Sequence, residues 1–187
     1  MLWSAMTIAF FGLLRASEYT CRRATTHDPQ TELCTTDVSC DGYVARVNVK
    51  ASKTDIFRTG SIIRIFANNS ELCPISALER YLHVRSRQDG PLYIFANNKY
   101  LRRMDVSHYM KLFSGHTSNL STHSFRIGAA TTLANSGYPR WLIQSLGRWS
   151  SDCYRVYIRT ADGTLSGVSN ALVSEPAYTF SYDPEVA

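Results

Sequence analysis

The sequence predicts an α+β fold, mainly helical, with a small antiparallel sheet or hairpin. Apolar residues recur at helical spacing in several separate stretches, each closed by Gly, Pro or Ser. Between them, residues 43–66 hold two β-branched runs joined by a short polar tip. The length of 187 residues, at 44% hydrophobic and 19% charged, suits one soluble domain with a core of its own.

Residues 2–20 read as a core helix, apolar nearly all round, that ends in Leu13-Leu14-Arg15-Ala16-Ser17-Glu18. The start has no basic residues ahead of its apolar run, and the run is shorter than the roughly 20 residues that span a bilayer. Neither a signal peptide nor a membrane partner is therefore expected. Arg15 and Glu18 stand three apart, which allows a local ion pair. An arginine at the end of so apolar a helix needs partners if it is buried.

Residues 24–41, rich in Thr, Asp, Pro and Ser, predict a connecting loop. Tyr43 to Lys50 alternates with period two, placing 43, 45, 47 and 49 on one face and Arg46, Asn48 and Lys50 on the other. Ser61 to Phe66 supplies the second strand, and the tip from Ala51 to Gly60 carries Lys53 and Arg58. Pro74 suits a first helical turn, and apolar residues at 75, 78, 81 and 82 predict a helix over 74–87. Asp89-Gly90-Pro91 stops it, Leu92 to Phe95 reads as extended, and 105–113 as a further helix.

After a linker over 119–122, a helix starts near His123 with Ser121 or Thr122 as its cap. Its small residues Gly128, Ala129 and Ala130 permit a close neighbour, and Ser136-Gly137 ends it. Pro139 opens a short helix closed by Gly147. Ser150 caps another, with Tyr154, Tyr157 and Ile158 on one side, where periodicity alone says core tyrosines. The tail from Gly163 has no clear structure.

Charge is unevenly spread. Residues 101–160 carry eight Lys and Arg against two Asp, whereas 161–187 carry four acids and neither base. A basic middle within a chain of net charge +5 points to a polyanionic partner, nucleic acid first. The five cysteines form no CxxC pair, which speaks against a disulfide framework or a zinc site and for a reducing compartment. The acids form no two-metal cluster, so neither metal nor cofactor is expected.

Ser121 to Tyr157 holds the densest chemistry. His123 and Arg126 share one face of a helix start, where free N–H groups and the dipole favour an anion. A guanidinium fork matches phosphate oxygens in shape and charge. Read alone, the pair could equally be a solvated basic helix start.

Together these segments resemble the catalytic domain of the tyrosine recombinases, which include the phage integrases. Gly12 to Glu18 matches the first arginine box, Ser52-Lys53-Thr54 the lysine on the hairpin, and His123-Ser124-Phe125-Arg126 the His-x-x-Arg box. Leu146-Gly147 with Tyr157, nine residues beyond Arg148, matches the nucleophile box. The wording Gly-Arg-Trp-Ser-Ser-Asp and Tyr-Ile-Arg looks most like eukaryotic mobile-element members such as DIRS-type recombinases. The family places His or Trp directly after the glycine. Here Arg148 stands there with Trp149 behind it, so either Arg148 serves as a further phosphate contact or Trp149 fills the site through a one-residue shift.

The resemblance implies a recombinase catalytic domain over 1–162, without the family's N-terminal clamp domain, and a tail over 163–187 that is unstructured or docks on a neighbouring protomer. It implies DNA cleavage and rejoining through a 3′-phosphotyrosyl link, on double-stranded DNA and as a tetramer. Localisation would be nuclear in a eukaryote and cytoplasmic otherwise. Arg15, Lys53, His123, Arg126, Arg148 and Tyr157 would be catalytic, Glu18 and Trp149 supporting, and Arg58 and Ser124 DNA contacts, with Tyr154 the rival nucleophile. A catalytically silent DNA-binding relative, a type IB topoisomerase-like activity and a basic scaffold are the alternatives.

Overall fold

The computed structural model describes residues 1–50, 59–85, 89–114 and 120–158, with Cys153, Tyr154 and Tyr157 described by backbone alone. The hairpin tip with Lys53 and Arg58, and the tail from 163, lie outside the described residues. Among the described residues, six α-helices accompany one three-stranded antiparallel sheet of order β1-β2-β3.

The expected first helix is two. α1 (Leu2–Phe11) stops at Gly12, and α2 (Ala16–Tyr19) restarts after Arg15. Between them Leu13 takes a left-handed φ of 47°, and Leu14 N–H reaches back to the Ala9 carbonyl at 2.9 Å. Burial of both Leu13 and Leu14 offsets the strain of a branched residue at positive φ. Gly12 fits where a Cβ would lie 2.9 Å from the Ile8 carbonyl. α1 is apolar all round because it packs against helices on two sides, α3 (Pro74–Val84) and α5 (Ser124–Asn135).

The hairpin forms as alternation requires: β2 (Val44–Val49) pairs with β3 (Ser61–Phe66), Val47 opposite Ile63 and Ala45 opposite Ile65. Ala45, Val47 and Val49 face the core, whereas Tyr43, expected on the same face, lies outside against Phe66 at 5.7 Å between ring centroids. Within the expected loop, β1 (Val38–Cys40) adds a third strand against β2. So short a run carries too little alternation to be seen in sequence.

α3 ends at Val84 rather than 87, because Arg85 turns away to donate from Nε to the Leu92 carbonyl at 2.9 Å and from Nη2 to that of Pro91 at 2.6 Å. Those bonds and the Tyr81 hydroxyl, which accepts from Ile94 N–H at 3.0 Å, hold residues 91–94 extended. α4 (Arg103–Ser114) starts two residues early, capped by Asp105 accepting from Arg102 N–H at 2.9 Å. α6 (Arg140–Leu146) follows Pro139. The last described element is a 3₁₀ turn, Asp152–Tyr157, with Ser151 instead of Ser150 in its N-cap position and no side-chain capping bond there.

The principal core joins α1, the sheet, α3 and α4 around Ile8, Leu14, Val47, Leu78 and Val106. A smaller cluster of Leu13, Ala129, Ala130, Ile143 and Trp149 binds α5 and α6 to the α1–α2 bend. Phe10 packs on it, 3.5 Å from where a Cβ on Gly128 would sit, which is the close approach the small residues of α5 allow.

Candidate active site

The bend after α1 is the anchor. Arg15 caps α2 in extended conformation, and the Glu18 carboxylate accepts its backbone N–H at 2.8 Å. The same carboxylate takes the Arg15 guanidinium at 2.9 Å and, through its other oxygen, Arg148 Nη2 at 2.6 Å. Its side chain has no exposed surface. A carboxylate so buried requires paired charges, and here two guanidiniums supply them.

Arg148 arrives from the far end of the chain by a local reversal. Gly147 closes α6, and Arg148 takes a left-handed φ of 54°. Its Nη1 donates to the Gly12 carbonyl at 3.2 Å and its Nη2 to that of Leu13 at 3.3 Å. Burial lowers the Arg148 pKa, an effect that Glu18 opposes and Arg15 reinforces. The next residue goes the other way. Trp149 folds back over Gly147, so close that a Cβ there would lie 1.8 Å from the ring, and its indole lies 4.4 Å from the Arg126 guanidinium. Gln144 Nε2 donates to the Trp149 carbonyl at 3.2 Å and fixes the turn.

Arg126 sits one turn into α5 and is among the most deeply buried large side chains. Its Nη1 donates to the Leu13 carbonyl at 3.1 Å and its Nη2 to that of Gly147. Leu13 thus receives Arg126 and Arg148 together. Three guanidiniums from three distant segments meet around residues 12–18, against a single carboxylate.

His123 occupies the N-cap position of α5 in helical conformation, without capping through its own side chain. The expected caps act otherwise: Ser121 Oγ accepts His123 N–H at 3.3 Å, and Ser124 Oγ accepts Ser121 N–H at 3.0 Å. Ser124 therefore closes the turn that presents the histidine. Thr122 is buried and accepts from Arg103 Nε at 3.2 Å. Burial lowers the His123 pKa first, followed by the positive charges of Arg126, Arg103 and Arg15. These effects favour the neutral imidazole, in which one nitrogen donates and the other accepts a hydrogen bond.

The structure therefore brings Arg15, Glu18, His123, Arg126, Arg148 and Trp149 into one neighbourhood. The backbone of Tyr157 lies in the 3₁₀ turn that packs against α5. Lys53 and Arg58 fall outside the described residues. Among the described residues, no group of three His, Cys, Asp or Glu could hold a metal ion. Sequence reasoning missed Arg103 and the carbonyls of Gly12 and Leu13. Nothing in the local pattern Leu-Arg-Arg separates Arg103 from a solvated cation.

Comparison with known proteins finds the same fold. Solved recombinases share the fold at low identity: XerA recombinase at 16% (TM-score 0.66, covering 92% of this chain and 57% of that one); XerH site-specific recombinase in a post-cleavage complex with palindromic difH substrate at 14% (0.62, 91% and 45%); and the Tn1549 transposon integrase in complex with a circular intermediate DNA at 15% (0.57, 90% and 57%). The chain spans about half the length of these proteins. No curated protein matches it at comparable stringency. The family model described as phage integrase family matches residues 31–162, a span that holds His123, Arg126, Arg148 and Tyr157 and begins after Arg15. With most of its length matched in this way, the chain belongs to the phage integrase family of tyrosine recombinases.

Proposed function

We propose that the chain cleaves and rejoins DNA strands through a 3′-phosphotyrosyl intermediate on Tyr157. The observation that carries this reading is the convergence of Arg15, Arg126 and Arg148 on one bend of the backbone, across separations of up to 136 residues. A phosphodiester resists cleavage because its phosphorus is shielded by negative oxygens and its alkoxide leaves poorly. Catalysis must neutralise the equatorial oxygens, hold the nucleophile in line and protonate the leaving group.

Arg15 and Arg126 are assigned to the non-bridging oxygens, with neutral His123 adding a hydrogen bond. Trp149 supports Arg126 from below by cation–π contact. Arg148, locked to Glu18, keeps that carboxylate from neutralising Arg15 alone. Tyr157 gives its phenolic proton to water as its oxygen attacks phosphorus, the bond to the 5′ oxygen breaks, and the Lys53 ammonium gives that oxygen a proton. Rejoining runs the same steps backward. One phosphoester replaces another, so no external energy source is needed. The Tn1549 transposon integrase is bound to a circular intermediate DNA, which supports DNA as the substrate; double-stranded DNA and assembly into a tetramer on it belong to the same reading.

The test is a duplex nicked just beyond the cleavage point, which lets the short fragment bearing the freed 5′ hydroxyl diffuse away and traps the covalent adduct. Wild-type protein should give a slower band on a denaturing gel, and Tyr157→Phe should not. An adduct that persists in Tyr157→Phe but disappears in Tyr154→Phe would move the nucleophile. Salt-sensitive DNA binding with no adduct from any form would favour the catalytically silent alternative.

A further inference from the structure

We propose that Arg103 is an additional phosphate-binding residue, holding a DNA backbone phosphate that flanks the one gripped by Arg15, Arg126 and His123; this rests on the DNA reading above. Arg103 opens α4 and is exposed, yet it is not loose. Its Nε donates to Thr122 Oγ1 at 3.2 Å, and Thr122 is a buried residue directly before His123. The guanidinium is thereby moored beside the histidine at the edge of the site. Its charge is felt both by His123 and by the buried Tyr19 of α2.

Two features separate Arg103 from the other arginines nearby. Arg102 is paired with Asp105, Arg15 and Arg148 with Glu18, and Arg155 with Asp152. Among the described residues Arg103 has no carboxylate partner. In addition, its anchor uses only Nε, so both terminal nitrogens remain to form the forked contact that suits a phosphate. Arg126 lies buried at the base of the site, whereas Arg103 is exposed. A strand whose central phosphate enters the pocket would bring a flanking one past it. Such a contact fixes position on the duplex and reads no sequence.

The experiment measures duplex affinity against salt for the wild type, Arg103→Ala, Arg103→Gln and Arg103→Lys, with unrelated duplexes of equal length. Loss of one phosphate contact should reduce the slope of log K against log salt by about 0.9. That reduction is expected in both Ala and Gln variants, equally on every duplex, while Lys retains the slope. Gln can keep a donor for Thr122, so its loss would reflect charge and not a disturbed fold. An unchanged slope in both neutral variants, with normal binding by the wild type, overturns this inference alone. Absence of salt-dependent duplex binding by the wild type overturns the proposed function and takes the inference with it.

Discussion

At Gly147 a single hydrogen atom decides whether the site can form. The Trp149 ring occupies the space a methyl group would need, and the Gly147 carbonyl accepts from Arg126. Arg148 can then turn through a left-handed conformation and send its side chain toward Glu18. Consecutive residues thus serve opposite sides of one guanidinium cluster. His123 shows how that cluster acts on a neighbour. Burial and then Arg126, Arg103 and Arg15 hold its pKa below the ordinary 6.5. The unfolded chain therefore binds a proton at His123 before the folded chain does. This group's contribution to stability is complete above about 6.5 and is lost as pH falls through the lower folded value. Urea denaturation at pH 7.5 and 5.5 should show a larger acid-induced loss in the wild type than in His123→Asn, and equal losses would contradict the assigned direction.

Among the elements, the break between α1 and α2 matters most. The apolar run to Leu14 and the Arg15–Glu18 spacing both read as one helix, since nothing local announces a left-handed leucine. The interruption is stabilised by burial of Leu13 and Leu14, to which distant elements contribute. Its consequence is chemical: the carbonyls of Gly12 and Leu13 receive Arg126 and Arg148, and Glu18 bridges Arg15 and Arg148. Glu18→Ala leaves two largely buried guanidiniums without their counter-charge. The expected cost is about 3–5 kcal/mol, as for other buried pairs that lose one member. Urea denaturation would measure it, and a loss below about 1 kcal/mol, the level of exposed pairs, would mean that solvent already compensates the two cations.

For the molecule as a whole, the two apolar clusters differ greatly in size. α1, β2, β3 and α3 share the large one, while α5 and α6 depend on a handful of contacts around Leu13, Ile143 and Trp149. Few buried apolar contacts mean low local stability. Hydrogen exchange followed by mass spectrometry should therefore show amides of α6 and of the α5 C-terminal half exchanging well before those of α1 and β2. Uniform protection across all four would show that the site-bearing helices open only with global unfolding. The half of the molecule that carries Arg126, Arg148 and Trp149 would then move no more readily than its scaffold.

Sequence by itself determined what short-range periodicity and side-chain chemistry can encode. The alternation from Tyr43 to Lys50 gave a strand, Pro74 a helix start, and Gly137 and Gly147 helix ends. The arginines, the histidine and the spacing to Tyr157 marked the family. Only the tertiary structure decided how those pieces meet: β1 exists because β2 offers it a partner, and Tyr43 faces outward because the strand begins after it. It also decided that Arg148 and Trp149 enter the site together, on opposite sides, and that Arg103 stands beside His123. The physical reason is range. A repeat of two or 3.6 residues is written into neighbouring side chains, whereas hydrogen bonds spanning 113 and 136 residues form only after packing has brought their backbones together.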